Sequence, residues 1–187
     1  GIKIVDLPNT NRLALYSDSV VFQNYDDKRF PKDKSRKLYS VYLADSIKST
    51  KTSKSIFYSV VAVVMPFNGF KFVSGGGDLK SDGVYLNSWA AKDLNAKSGD
   101  QLDIRYLKAK RNGTYEKHTL RRTIQGIVDI KGTAADKSIV PDFEGITDAG
   151  TIGEWKTPFP IDLKNVTQRD EAYWDKYRAL PKAYLSL

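Results

Sequence analysis

The sequence is nearly without the side chains that most catalytic and metal sites use. It has no cysteine, one histidine and one methionine in 187 residues. The absence of cysteine excludes disulfides, thiolate metal sites, iron–sulfur clusters and a cysteine nucleophile. The single His118 excludes sites that need two imidazoles, and no G-x-S-x-G motif supplies a nucleophile for it. We therefore predict no enzyme activity, no catalytic residue, no cofactor and no metal ligand, and we interpret His118 as an exposed strand residue.

Long apolar runs are also absent. The longest, Ile56–Phe67, has about a dozen residues, is interrupted by Ser59 and contains Pro66, whereas a membrane-spanning helix needs roughly 20. We therefore expect this run to be a buried strand. The chain begins at Gly1 and has Met65 as its one methionine, which is typical of a processed chain or of a segment excised from a larger protein.

The composition predicts a folded domain with a basic surface. The chain is 41% hydrophobic and 12% aromatic, too apolar for disorder, and its length suits one domain or two small subdomains. The net charge is +8, with basic residues concentrated in 28–54 and 105–122 and acidic residues in 142–175. Such asymmetry is compatible with a nucleic-acid or acidic-lipid surface, but solvated lysine-rich loops are the favoured interpretation. No module interleaves aromatics with arginine and glycine, so we predict no nucleic-acid partner.

Local patterns predict an α+β fold. The apolar spacing in 38–47 predicts an amphipathic helix, and Asn87 is a good N-cap for a second helix. The Asn112-Gly113 pair predicts a hairpin. The predicted elements are a helix over 38–47, strands over 56–65, 83–86 and 102–106, a helix over 88–94, a long return strand over 114–130, a helix capped by Thr167, and a strand from Ala183.

Three polar segments are candidate sites. The residues 142–154 contain Asp142, Glu144, Asp148 and Glu154, but glycine falls at the fourth loop position, which excludes an EF-hand; an irregular cation site stays open. The segment Gly75–Asp78 lacks the Gly-Lys-Ser/Thr ending of a phosphate loop. The neighbouring acids at 170 and 171 point about 100° apart on a helix, so we expect them to stabilise its N-terminus rather than to form a glycosidase pair.

One stretch resembles a known family. Residues 83–100, GVYLNSWAAKDLNAKSGD, are similar to the v-x-L-N-x-x-A-A-x-x-L-x-A-x-x-G-D stretch in extracytoplasmic domains of FtsX/MacB-type ABC transporter permeases. This pattern combines a strand, a short helix that packs through Ala90, Ala91 and Leu94, and a Gly-Asp turn into the next strand.

Two further stretches resemble one subgroup of these permeases. Residues 56–61, IFYSVV, are similar to its iPYS-x-v strand, with Phe57 in place of the usual proline. Residues 140–149 and 155–183 are similar to its P-x-F-x-G-i-x-D-A … W … P-i-D … D-E-x-Y-W-x-x-Y-R-x-x-P-K-A run. Together the resemblance covers roughly residues 38–187.

The resemblance implies a mixed-sheet, MacB-like extracytoplasmic core domain that lies between the first two transmembrane helices of a permease. We expect subdomains around 38–75 and 83–130, and an irregular segment plus a helix over 131–187 that packs across both. The implied role is non-catalytic engagement of a substrate or partner and mechanical coupling to a cytoplasmic ATPase, in a dimer, on the extracytoplasmic side of a cell membrane. The alternatives are a self-standing secreted or cell-envelope binding protein and, third, an envelope hydrolase.

Aromatic side chains of the last third are the first candidates for contact with a partner, although helix-packing core is the favoured interpretation of the same side chains. They are Trp155, Phe159, Tyr173, Trp174 and Tyr177.

Overall fold

A computed structural model describes residues 2–7, 12–17, 38–65, 68–110, 112–157 and 159–186. The strands are β1 (Ile2–Leu7), β2 (Arg12–Ser17), β3 (Leu38–Ser49), β4 (Ser55–Met65), β5 (Phe70–Gly75), β6 (Gly83–Asn87), β7 (Gln101–Ala109), β8 (Tyr115–Gly132) and β9 (Ala183–Leu185). The helices are α1 (Ser88–Leu94) and α2 (Gln168–Tyr177), and 3₁₀ turns lie at Thr133–Ala135, Lys137–Ile139, Ile152–Glu154 and Leu163–Asn165.

Seven strands form one mixed sheet in the order β5-β8-β6-β9-β4-β3-β7, and β1 pairs with β2 separately. The long β8 pairs antiparallel with β7 up to Thr123 and parallel with β6 from Thr123 onward. In the series β6-β9-β4-β3-β7, β8 pairs with the first strand and also with the last. These five strands and β8 therefore close into a ring, which leaves fewer free sheet edges. The strand β5 pairs with the later part of β8 outside this ring.

The shortest strand lies in the middle of the sheet. β9 pairs parallel with β4 and antiparallel with β6. Both neighbours are buried, and Ala183 and Tyr184 are fully buried. The predicted strand at Ala183 is therefore confirmed.

One cluster of apolar side chains joins the ring to α1, and a second covers another face of the sheet. The first contains Ile47, Leu86 and Leu94 together with Ala90 and Ala91 of α1. The second is formed by β4, β6, β8 and β9 side chains against the 3₁₀ turns that follow β8. The helix α1 begins as predicted, because the Asn87 side chain accepts a hydrogen bond from Ala90 N at 2.8 Å.

The predicted helix over 38–47 is wrong, because these residues form the strand β3. In β3 the side chains of Tyr39, Val41 and Leu43 are half-buried and alternate with exposed neighbours. The pairing with β7 shifts register between Ala44 and Ser46. A bulge of this kind shifts by one residue the strand positions that face the core. The alternating patterns before and after the bulge then combine into an apolar spacing that resembles that of a helix.

The remaining predicted elements agree with the structure. β4, β6, α1, the β7–β8 hairpin around Asn112-Gly113, the long return strand and α2 all lie where the sequence placed them, with bounds that differ by at most three residues. Both predicted subdomains contribute strands to one sheet, so the boundary between them stays a prediction. In the part of the chain that the structure describes, no helix is long and apolar enough to cross a membrane.

The glycine-rich loop after β5 is held by Gln125 of β8. Gln125 lies at a register shift between β6 and β8, where its neighbours pair with Val84 and Tyr85. Its Nε2 donates to Asp78 O at 2.5 Å, and its Oε1 accepts from Lys80 N at 2.9 Å. The loop is thus a structural connection that a β-bulge residue fixes in place.

Gly75 should be irreplaceable for steric reasons. Its φ is +65°, and a Cβ there would lie 2.3 Å from Gln125 O, whereas Gly99 has φ +92° with nothing within 4 Å of a Cβ. We expect Gly75→Ala to lower the free energy of unfolding by about 3 kcal/mol and Gly99→Ala by about 1 kcal/mol. Urea denaturation of both variants measures the difference, and equal losses would contradict the close approach.

Candidate functional site

The polar side chains of the last third converge where α2 packs on the sheet. α2 begins with a capping box: Asp170 accepts hydrogen bonds from Thr167 N at 3.0 Å and from Thr167 Oγ1 at 2.7 Å. The next residue, Glu171, accepts from the backbone N–H groups of Ile152 and Gly153 at 3.0 and 3.2 Å. Asp170 thus stabilises the N-terminus of α2 as predicted. The carboxylate of Glu171 instead binds the start of the separate 3₁₀ turn Ile152–Glu154.

Lys182 is a buried cation held by aromatic rings. Its side chain is 3% exposed and its Nζ lies 3.8 Å from Asp170 Oδ1. The same Nζ lies 4.9 Å from the centre of the Trp89 ring and 4.7 Å from that of Tyr173. Cation–π attraction of this kind strengthens when water is excluded. Lys182 directly precedes β9, so its ammonium group connects the start of that strand to α1 and α2.

Burial sets the protonation behaviour of this cluster. It lowers the pKa of Lys182 from 10.5 to about 8, and the carboxylates of Asp170 and Asp93 oppose the shift. Arg169 donates to Asp93 at 2.7 Å and adds a second cation beside the pair. Burial also raises the pKa of Tyr173 well above its usual value. The contacts of Lys182 with Asp170 and of Arg169 with Asp93 connect α1 and α2 to the chain that enters β9.

Asn87 is the other polar link at this position. Beyond capping α1, its Nδ2 donates to Tyr173 Oη at 2.9 Å and to Pro181 O at 3.0 Å. Its backbone N donates to Lys182 O, and Lys182 N donates to Val60 O. One buried amide thus connects β6, α1, α2 and the chain that enters β9.

The five candidate contact residues do not share one environment. Trp155, Tyr173 and Trp174 are more than nine-tenths buried, and the two tryptophan rings lie 4.9 Å apart. Their interpretation as core is confirmed, and their side chains are not available to a partner in this conformation. Phe159 and Tyr177 are half-buried, and partner contact by these two stays a prediction.

The cavity beside these side chains is too small for an organic ligand. It has a volume of about 10 Å³ and lies between Tyr58, Trp155, Asp170 and Lys182. That volume suits about one water molecule. A substrate-binding role for the tail therefore requires an exposed surface rather than this cavity.

Two of the remaining candidate residues, His118 and Glu154, have structural partners. His118 stacks on Tyr106, and its Nε2 lies 3.6 Å from Glu116. Glu154 accepts from the backbone N–H groups of Gly150 and Thr151 at 2.9 and 3.2 Å. Among the described residues, no group of three or more acidic or histidine side chains could hold a metal ion.

Sequence reasoning missed Asn87 as a connection and Lys182 entirely. A lysine between proline and alanine is ordinarily an exposed residue. The one signal was its position directly before an apolar strand, which places it at the edge of the core.

The comparisons with known proteins show a weak structural likeness. No family model and no curated protein matches the chain. Among solved structures, it is similar to the periplasmic region of MacB from Actinobacillus actinomycetemcomitans, with a TM-score of 0.35 and 14% sequence identity. The match covers 55% of this chain and 44% of that one, so this chain spans less than half of that structure. A similarity this weak does not show membership of a family.

Lys182 should make stability depend on pH. Because the folded chain releases this proton near pH 8 and the unfolded chain near 10.5, the unfolded state binds more protons in between, and stability rises with pH. We expect this group to add about 2 kcal/mol between pH 7 and pH 10. Urea titrations at both pH values should show the gain in the natural chain and not in Lys182→Met. An equal gain in Lys182→Met would contradict the assignment.

Asn87→Ala should cost more than loss of an ordinary cap. It removes the α1 cap, worth about 1 kcal/mol, and leaves Pro181 O buried without its donor, at about 1–3 kcal/mol. We expect a total of about 3 kcal/mol by urea denaturation. Thr167→Ala, which removes only one member of the α2 capping box, is the control at about 1 kcal/mol. Equal losses would show that Asn87 is merely a cap.

Proposed function

We propose that this chain is a non-catalytic extracytoplasmic domain of an ABC transporter permease. In this role it engages a substrate or partner protein and couples its movement to transmembrane helices, which a cytoplasmic ATPase drives in a dimeric transporter. The resemblance to FtsX/MacB-type permeases supports the proposal. Its stretches fall on continuous structural units, namely β4, the β6–α1 unit with its turn, and the tail that ends in β9.

The position of the first and last strands of the large sheet carries the proposal. β3 and β9 flank β4 on its two sides. Leu38, where β3 begins, pairs with Met65, and Leu185, where β9 ends, pairs with Val63. The chain therefore enters and leaves the sheet at the same end, on strands about 10 Å apart. Two packed helices have axes 8–10 Å apart, so this spacing suits a domain inserted between neighbouring transmembrane helices.

The buried polar cluster supports a coupling role. Lys182 and Asn87 join the entrance of β9 to α1 and α2 through buried contacts. A displacement of the strand at the exit of the sheet would therefore be passed to both helices. Rigid elements held by buried contacts carry coupling between distant parts of a protein.

The location can be tested with single cysteines, because these 187 residues contain none. Val73 is 64% exposed and Val84 is fully buried. In cells that express the full-length protein, we expect a membrane-impermeant maleimide to label Val73→Cys without lysis. The unsubstituted protein measures background labelling, and Val84→Cys is the control for accessibility, labelled only after denaturation.

Two outcomes would contradict the proposal. Labelling of Val73→Cys only after lysis would place the domain inside the cell. Release of the labelled protein from membranes by alkaline carbonate would favour a self-standing binding protein, because a permease stays embedded.

A further inference from the structure

The turn of the β7–β8 hairpin points toward the end of the sheet at which the chain enters and leaves. β7 runs antiparallel to β3, and their pairing stops at Ala44 and Tyr106. Beyond that point β7 continues from Leu107 to Ala109, and these residues pair with residues 115–117 of β8. Its turn therefore lies toward Leu38.

This end of the molecule is basic. Lys108, Lys110 and Lys117 of the hairpin are exposed. Glu116 pairs with Lys110 at 3.3 Å, and in the described ranges neither Lys108 nor Lys117 forms an ion pair.

Exposed aromatic and apolar side chains accompany the charges. Tyr42, Met65 and Tyr115 are 39%, 41% and 37% exposed. Tyr42 lies edge-on to Tyr106, with ring centres 5.5 Å apart, and Tyr115 contacts Phe159 at 6.2 Å. Amphipathic rings beside long basic side chains are typical of surfaces that meet lipid headgroups.

We propose that this basic end, formed by Tyr42, Met65, Lys108, Lys110, Tyr115 and Lys117, contacts the anionic phospholipid headgroups of the membrane. The proposal rests on the proposed function, which puts the same end next to the bilayer. Phosphate groups attract the lysines, and the tyrosine rings lie at the headgroup level. Phe159, one of the predicted contact residues, is half-buried, and its ring packs against Tyr115 of the hairpin.

The test is sedimentation of the 187-residue chain with lipid vesicles. We expect binding to phosphatidylcholine vesicles that contain phosphatidylglycerol, weakened by salt, and little binding to phosphatidylcholine alone. The variant Lys108→Gln/Lys110→Gln/Lys117→Gln should bind roughly a hundredfold more weakly, since each charge near the surface contributes about a factor of five.

A matched variant at the other end separates position from net charge. Lys51, Lys54 and Lys97 are exposed near the β3–β4 turn, and one of them, Lys51, pairs with Asp100 at 3.4 Å as Lys110 pairs with Glu116. Their replacement by glutamine removes the same charge and should change vesicle binding only a few-fold. Thermal unfolding checks that both variants keep their fold, because all six side chains are exposed.

Three results would overturn the proposal. They are no binding to phosphatidylglycerol vesicles, equal losses in the two triple variants, and tighter binding to an oligonucleotide than to the vesicles. Any of them, together with labelling of Val73→Cys in intact cells, would leave the proposed location correct and the lipid contact wrong. Vesicle binding without that labelling would support the lipid contact and contradict the proposed location.

Discussion

The arrangement of the whole domain depends on one buried amide. Asn87 caps α1 with its side-chain oxygen and binds Tyr173 and the Pro181 carbonyl with its nitrogen. A buried polar group that loses its hydrogen-bond partner destabilises the folded state by more than a single good contact stabilises it. The elements around Asn87 are therefore held in the positions that keep its hydrogen bonds. These hydrogen bonds hold Tyr173 of α2 and the chain that enters β9 against the start of α1.

The charges of the molecule serve two different purposes. Lys182 and Asp170 are buried in the tail, where they fix the geometry at a cost in solvation free energy. A buried ion pair of this kind contributes more to specificity than to stability. On the surface, the lysines of the hairpin keep their hydration and so can attract anions over several ångströms. Between the last third and the body, Arg169 of α2 pairs with Asp93 of α1 at 2.7 Å.

Local patterns predicted the elements that local interactions determine. α1 follows from its cap and alanines, the hairpin from Asn112-Gly113, and α2 from Thr167 and Asp170. β3 was misread because the irregularity near Asp45 arises from pairing with β7, which no window of 38–47 contains. The cage around Lys182 was beyond prediction for the same reason: its aromatic walls come from residues 89 and 173. Tyr173 and Trp174 are core residues because α2 turns that face inward, and Trp155 is core because its ring packs against Trp174.

The central position of β9 has a kinetic consequence. β4 and β6 cannot complete their pairing until residues 183–185 arrive, so closure of the ring depends on contacts between distant parts of the chain. High contact order slows folding. Until closure, the valine-rich β4 presents an open, apolar edge of the kind that pairs with other chains. A nascent or partly unfolded form of this domain is therefore exposed to aggregation through that edge.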